Sequence, residues 1–287
     1  MEKHLLVTVS EQRKHLYADR FVAHFFTNRK NLKITLYYAA PRPPAVWAGE
    51  RTLDGDTQRE AQLRENELKG RKALEGAKRL LLQRGFAEES IKTKLQVRRF
   101  SKVMDIVQEG EDGLYDAVVL GRRGLSWLEQ AFDESVTKEL LSKKVGFPIW
   151  VCRKPDLDRR HALVCVDGSE ASVRVADHVG FMLADQDDQK VTLMTVAKKG
   201  AREEDDIASY FDTCRKQMEA NGFSGDRIKT KVVEAGNIAK AILKEAEAGC
   251  FGVVATGRTG KGEGLFMGSV STTLFKELEK AGLWICY

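Results

Sequence analysis

The stretch Gly252-Val-Val-Ala-Thr-Gly-Arg-Thr-Gly260 decides the fold, because the chain contains it in two closely similar copies. The earlier copy is Ala117-Val-Val-Leu-Gly-Arg-Arg-Gly124. Ile-Lys-Thr-Lys likewise occurs at residues 91–94 and again at 228–231, both times shortly after a Gly-Phe pair. A period near 137 residues is far too long for a solenoid repeat. The sequence therefore predicts a duplicated domain.

Both halves alternate short apolar runs with segments of helical period. This alternation predicts an α/β fold with two tandem doubly wound domains, each containing a five-stranded parallel sheet covered on both faces. We place the domains at residues 1–154 and 160–287, joined by a short linker that contains Pro155. The predicted strands are 5–9, 32–38, 91–97, 115–120 and 147–152 in the first half, and 161–166, 191–196, 228–233, 251–256 and 283–287 in the second.

The first half has about twenty extra residues between its second and third strands. Three prolines between residues 41 and 44 predict a loop there, which we place at 40–60. A long charged helix is predicted to follow, from about residue 57 to 84. We interpret its lysines and arginines as a solvated face.

Composition narrows the class of protein. The chain of 287 residues is 43% hydrophobic and 31% charged, and its net charge of +5 includes no block of five or six like charges. We therefore expect neither nucleic acid nor a membrane as a partner. No signal-peptide pattern precedes the first strand and no apolar run approaches ~20 residues, so we expect a cytoplasmic protein. Five cysteines without a Cys-x-x-Cys pair and five histidines without a close pair argue against a disulfide framework and a metal site.

One glycine-rich segment carries a functional signal. Gly257-x-x-Gly260, followed by Gly268 and Ser269, joins a predicted strand to a predicted helix. Glycines let the backbone approach a phosphate, and the N–H groups at a helix N-terminus favour an anion. A flexible turn with Ser269 as an ordinary N-cap explains the same glycines equally well. Asp167 ends the first strand of the same half, where a carboxylate can accept hydrogen bonds from a sugar, and this combination is more specific than either feature alone.

The chain resembles a tandem member of the universal stress protein family. The segment Val166-Asp-Gly-Ser-Glu-Ala-Ser172 is similar to the family's opening motif, and the glycine loop is similar to its Gly-x2-Gly-x9-Gly-Ser/Thr motif. The resemblance covers nearly the whole chain. It implies an adenine nucleotide alpha hydrolase-like fold and binding of ATP or AMP, with or without Mg²⁺. Seven residues separate Gly260 from Gly268, where the family pattern has nine.

The resemblance also implies roles for individual residues. Asp167 would contact the adenosine, and Val196 would offer its backbone to the adenine. Lys261, in the shortened loop, would supply charge to the terminal phosphates. No catalytic residue or metal ligand is implied. The candidate nucleotide-binding residues are Val166, Asp167, Val196, Thr256, Gly257, Thr259, Gly260, Lys261, Gly268, Ser269, Val270 and Ser271.

The first half departs from the same pattern. Ser10 stands where the second half has Asp167, and the final Gly-Ser of the loop is replaced by Glu134 and Ser135. A glutamate here adds bulk and negative charge where a phosphate should approach. We therefore predict that the first half is degenerate and that the chain binds one nucleotide, in its C-terminal half.

The predicted function is that of an adenine-nucleotide-binding stress-response regulatory protein with at most slow ATP hydrolysis. The fifth strands of the two halves are expected to pair within the chain as a pseudo-dimer, with a homodimer as a further possibility. Two alternatives stay open on the sequence. One is a nucleotide-free protein-interaction module that uses the proline-rich insertion with Trp47, and the other, weaker alternative is an enzyme that adenylates a substrate.

Overall fold

The computed structural model describes residues 1–11, 17–43, 53–121, 145–197, 204–260 and 267–287. Several residues with predicted roles lie outside these ranges. They are Trp47 in the insertion, Gly124, Glu134 and Ser135 in the loop of the first half, and Lys261 in the glycine loop of the second.

The described residues form ten strands and seven α-helices that alternate along the chain, which confirms the predicted α/β class. Two short 3-10 turns lie at Glu88–Ser90 and Gly225–Arg227. The first half contains β1 (Lys3–Thr8), α1 (Tyr17–Phe25), β2 (Leu32–Ala40), α2 (Leu53–Gln83), β3 (Ile91–Val97), α3 (Lys102–Asp112), β4 (Ala117–Gly121) and β5 (Ile149–Cys152). The second half contains β6 (Arg160–Cys165), α4 (Glu170–Leu183), β7 (Val191–Ala197), α5 (Glu204–Ala220), β8 (Ile228–Glu234), α6 (Ile238–Ala248), β9 (Phe251–Gly257), α7 (Ser269–Glu277) and β10 (Gly282–Cys286).

All ten strands belong to one sheet, in the order β3-β2-β1-β4-β5-β10-β9-β6-β7-β8. Within each half the strands are parallel, whereas β5 and β10 pair antiparallel and join the halves. Trp150 lies opposite Trp284 in this central pairing, and the two indole rings stack 3.8 Å apart. The intrachain pairing of fifth strands expected from the sequence is therefore present.

Burial explains why the inner strands read as continuous apolar runs. Helices cover both faces of the sheet, so every residue of β4, β9 and β10 is buried. The outermost strands differ, because β3 and β8 each have one neighbour only. In both, the isoleucine of the repeated Ile-Lys-Thr-Lys is buried and the following three residues are exposed. Lysines on an edge strand oppose sheet extension by another chain, which gives the repeated motif a structural role.

The two halves also meet through side chains at the turn between α1 and β2. The Gln186 side chain accepts hydrogen bonds from the backbone N–H groups of Thr27 (2.9 Å) and Asn28 (3.0 Å). Lys3 forms an ion pair with Asp185, across the same boundary. These contacts and the tryptophan stack bind the halves into one body.

The insertion of the first half is largely helical. Helix α2 begins at Leu53 and has 31 residues, against 17 in its counterpart α5. The helix predicted from about residue 57 therefore begins four residues earlier, within the segment 40–60 that the sequence assigns to a loop. Asp56 in the first turn favours an earlier helix start, because a negative charge complements the positive N-terminal end of the helix dipole. No helix in the described part of the chain is long and apolar enough to cross a membrane.

Candidate functional site

A cavity of about 300 Å³ lies at the carboxyl edge of the second half. The ends of β6, β7 and β9 and the first turns of α6 and α7 surround it, as expected where a parallel sheet presents its strand ends. Eleven of the twelve residues predicted from the sequence line it, and the twelfth, Lys261, is outside the described residues. The lining residues are Cys165, Val166, Asp167, Ser169, Ser172, Met194, Val196, Ile238, Ile242, Thr256, Gly257, Thr259, Gly260, Gly268, Ser269, Val270 and Ser271.

Local hydrogen bonds fix the Asp167 carboxylate at the cavity wall. Its Oδ1 accepts from the Ser169 backbone N–H (3.0 Å) and from the Ser169 hydroxyl (2.5 Å). Ser169 is in turn the N-cap of α4 and accepts from the Ser172 N–H at 3.2 Å. Gly168 permits the turn because its φ is +79°. The carboxylate is therefore held in place before any ligand arrives.

Gly260 is required by this carboxylate. A Cβ atom at residue 260 would lie 2.8 Å from Asp167 Oδ2, which is closer than such contacts allow. Gly257 is similarly constrained, because its Cβ would lie 2.8 Å from the Ala171 Cβ of α4. The first two glycines of the loop thus have a packing reason to be glycine.

Gly268 does not share this constraint. Its φ is −62°, and a Cβ there would meet nothing closer than the Arg258 carbonyl oxygen at 3.6 Å. Gly268 is also the N-cap of α7, and no side chain caps the helix. The interpretation of Ser269 as N-cap is therefore wrong: Ser269 is the first helical residue and is exposed. The Gly268 carbonyl accepts the first helical hydrogen bond, from the Thr272 N–H at 2.9 Å, and the Gly268 N–H donates to the Arg258 carbonyl at 2.8 Å.

The Ser271 hydroxyl has a structural role. It is buried and donates a 2.7 Å hydrogen bond to the Gly257 carbonyl oxygen, which ties α7 to the end of β9. Ser271 lines the cavity, yet its hydroxyl is committed to the protein. The hydroxyl proton is therefore not available to a phosphate oxygen, whereas the Ser271 backbone N–H lies in the first turn of α7.

One side of the cavity is apolar, and the sequence did not identify most of it. Met194, Ile238 and Ile242 form part of this side. The sequence contained a pattern that could have identified these residues. Met194 and Val196 are two residues apart on β7 and therefore lie on the same face of the sheet, and residues 238 and 242 are one turn apart at the start of α6. Cys165 also lines the cavity, and burial raises the pKa of its thiol to about 12, so it is not a nucleophile at neutral pH.

The backbone of Val196 faces the cavity. Val166 donates its N–H to the Met194 carbonyl (2.8 Å), whereas the Ala197 carbonyl accepts from Ala235 on the β8 side (3.0 Å). Backbone groups alternate direction along a strand, so those of Val196 point to the β6 side, as those of Met194 do. Strand β6 has ended at this level. The Val196 peptide groups are thus oriented toward the space beyond β6.

The corresponding edge of the first half is described only in part. Ser10 follows β1, and its hydroxyl oxygen is buried without a hydrogen-bond partner among the described residues. Gly121 ends β4, but the remainder of that loop is not described. Loss of the nucleotide site from the first half therefore stays a prediction. Among the described residues, no group of three or more His, Cys, Asp or Glu side chains could hold a metal ion.

Two solved structures that align with 99% of this chain show the same fold. A universal stress protein from Archaeoglobus fulgidus DSM 4304 is 14% identical, with a TM-score of 0.64 over 99% of this chain and 97% of that one. A putative universal stress protein from Pseudomonas aeruginosa UCBPP-PA14 is also 14% identical, with a TM-score of 0.53 over 99% of this chain and 92% of that one. A universal stress protein in complex with cAMP aligns with 45% of this chain and 97% of its own, at 20% identity and a TM-score of 0.38.

No curated protein sequence matches the chain. The model of the universal stress protein family, however, matches it twice, over residues 1–153 and 158–281. These two matches cover both halves of the duplication. The chain belongs to the universal stress protein family.

Proposed function

We propose that the cavity in the second half binds one adenine nucleotide per chain, and that the protein is a nucleotide-responsive regulator of the stress response. The observation that carries this proposal is the division of the cavity into an apolar side and a polar side. Met194, Ile238 and Ile242 line the first, while Asp167 and the uncapped N-terminus of α7 line the second. A nucleotide has the same division between its base and its ribose phosphate.

Each side has a specific task in this proposal. The adenine ring lies against the apolar side chains, and the Val196 peptide groups bind its polar edge. The Asp167 carboxylate accepts hydrogen bonds from the ribose hydroxyls, because its Oδ2 has no hydrogen-bond donor among the described residues. The phosphate lies at the start of α7, where the N–H groups and the helix dipole favour an anion.

The size of the cavity bears on which nucleotide binds. Its 300 Å³ is at the lower end of the roughly 300–1,000 Å³ of ligand pockets. This volume supports tight enclosure of the nucleoside and its first phosphate. Asp167 is the one described carboxylate in the lining, so a Mg²⁺ accompanying ATP would be held chiefly by phosphate oxygens. We assign no catalytic base, and any ATP hydrolysis is expected to be slow.

Calorimetric titration with ATP, ADP and AMP tests the proposal. We expect one site per chain. Asp167→Ala should weaken binding by at least tenfold, because hydrogen bonds to a charged group contribute about 1.5–3 kcal/mol. Ser10→Ala, at the matched position of the first half, is the control and should leave affinity unchanged. Two equivalent sites, or unchanged affinity in Asp167→Ala, would contradict the assignment.

Absence of binding by all three nucleotides would favour the alternative, a nucleotide-free interaction module. If ATP binds, analysis of the nucleotide products after prolonged incubation measures the rate of hydrolysis, which we expect to be slow. Release of pyrophosphate with transfer of the AMP group to an added substrate would instead indicate an adenylating enzyme.

A further inference from the structure

The first half contains a second, larger cleft, between α1 and α2. Its volume is about 740 Å³, and it begins beside Ser10 and Glu11 at the end of β1. Arg20 of α1 forms one wall. One face of α2 forms the other, including Lys69, Lys72 and Arg79.

The second half has its corresponding helices in close contact. A Cβ at Gly180 of α4 would lie 2.8 Å from the Met218 Cα of α5, so this glycine allows the helices to touch. Asp177 further joins them by accepting hydrogen bonds from Gln217 (2.7 Å) and Asn221 (2.8 Å). The cleft between α1 and α2 therefore has no equivalent between α4 and α5, although the two halves share the same fold.

The cleft carries an excess of positive charge. Lys69 is paired with Glu65 at 2.7 Å. Arg20, Lys72 and Arg79 are exposed, and none of them has an acidic partner within 4.0 Å among the described residues. Glu11 is the single acidic residue of the lining, and it accepts a hydrogen bond from the Tyr38 hydroxyl. Exposed like charges without partners indicate a surface suited to an anion.

The spacing of the cations sets the size of that anion. Lys69 and Arg79 are ten residues apart on one helix, which corresponds to about 15 Å at 1.5 Å per residue. An extended peptide covers this distance with four or five residues, at about 3.3 Å each. At the closed end, the buried Ser10 hydroxyl has no partner among the described residues and can receive a hydrogen bond from the ligand or donate one to it.

We propose that this cleft binds an acidic peptide segment of a partner protein. Ala73 and Gly76 lie between Lys72 and Arg79 along α2 and Leu80 follows Arg79, so the lining includes small and apolar residues that can contact the peptide. No aromatic ring belongs to the described lining, so the base-stacking platform of single-strand nucleic acid binders is missing there. The cleft does not depend on the nucleotide site, which is in the other half.

Fluorescence anisotropy with a labelled octaglutamate peptide tests this proposal. Arg20→Gln, Lys72→Gln and Arg79→Gln combined should weaken binding by about tenfold, since three exposed ion pairs each contribute a fraction of a kcal/mol. The matched control replaces Arg59, Arg64 and Arg71, which are on α2 outside the cleft, with glutamine. It removes the same net charge and should change affinity by less than about threefold.

Three results would overturn the proposal. The first is equal weakening in the two triple variants, because it would show attraction to net charge alone. The second is absence of peptide binding at low salt. The third is tighter binding of an eight-residue oligothymidylate that depends on the same three cations, which would assign the cleft to nucleic acid. Nucleotide titration of the cleft variant should be unchanged, so the outcome is separable from that of the proposed nucleotide site.

Discussion

The two halves have the same strand order, yet they differ in how their helices pack and in what their buried positions contain. In the second half α4 and α5 touch through Gly180, and in the first half α1 and α2 leave a basic cleft. The second half presents a cavity with Asp167, where the first half has Ser10. Duplication thus preserved the sheet and left the helix layer and strand ends to diverge. The inner strands are constrained by burial on both faces, whereas the surfaces between helices are not.

The central tryptophans show the same asymmetry inside the core. Trp150 donates to His178 at 3.0 Å, and burial lowers the pKa of that imidazole to about 4, so it is neutral and can accept. Phe21 stands at the matched position of the first half, and the Nε1 of Trp284 is buried without a partner in the described structure. The indole N–H of Trp150 therefore has a hydrogen-bond acceptor, whereas the indole N–H of Trp284 has none among the described residues.

The largest expected effect concerns Asp19, which stands where the second half has Ala176. Both carboxylate oxygens are buried and have no partner among the described residues, and burial raises the pKa to about 7. Below pH 4 the group is protonated in both the folded and the unfolded state, so its ionisation contributes nothing to the pH dependence of stability. Between pH 4 and 7 the unfolded chain ionises first, so stability falls as the pH rises. Asp19→Ala should therefore stabilise the protein above pH 7 by up to about 4 kcal/mol.

Urea unfolding from pH 4 to pH 8 measures this effect. The gain from Asp19→Ala should shrink steadily toward pH 4. Asp212→Ala removes an exposed carboxylate and should change stability by less than about 0.5 kcal/mol at every pH. A loss of stability in Asp19→Ala at pH 8 would show that the carboxylate has a favourable interaction.

The second prediction transfers the first-half residue into the second half. Gly268→Glu should fold normally, because a Cβ at this position has room and φ is −62°. The added carboxylate should repel a phosphate at the start of α7 and lower nucleotide affinity by more than about a hundredfold, or 2.7 kcal/mol. Calorimetric titration with unchanged affinity would remove α7 from the phosphate site.

The third prediction separates the glycines of the loop. Gly260→Ala should displace the Asp167 carboxylate, because its Cβ would lie 2.8 Å from Oδ2, and should weaken nucleotide binding by about tenfold. Gly268→Ala is the matched control and should change affinity by less than about threefold. Equal effects of the two substitutions would mean that Asp167 does not position the ligand.

The smallest expected effect is discrimination between ATP and AMP. The loop is two residues shorter than the family pattern, so we expect less than about tenfold preference for ATP, supplied mainly by the Lys261 charge. The preference should shrink at high salt, because salt screens the attraction between an ammonium group and a phosphate, and it should shrink in Lys261→Ala. A hundredfold preference for ATP that is insensitive to salt would contradict this prediction, because it would require further residues that bind the terminal phosphates.

Sequence reasoning found the parts of the site that depend on residue type along one strand or loop. Asp167, Gly257 and Gly260 are of this kind, and their packing shows why these residue types occur there. It missed Met194 and the α6 isoleucines, whose role depends on which helix covers which strand end. One of the two interpretations of the glycine segment placed Ser269 at the N-cap, whereas the first helical hydrogen bond, from the Thr272 N–H to the Gly268 carbonyl, makes Gly268 the N-cap of α7.

The sequence by itself determined the duplication, the order of strands and helices, and the half in which a nucleotide site is expected. Apolar periodicity and glycine spacing are local properties, because they can be recognised within a short segment without knowledge of its tertiary contacts. Only the tertiary structure decided the pairing register of β5 with β10, the contact between α4 and α5, and the cleft between α1 and α2. These features depend on distances between segments far apart in the chain, which are fixed by packing once the sheet has formed.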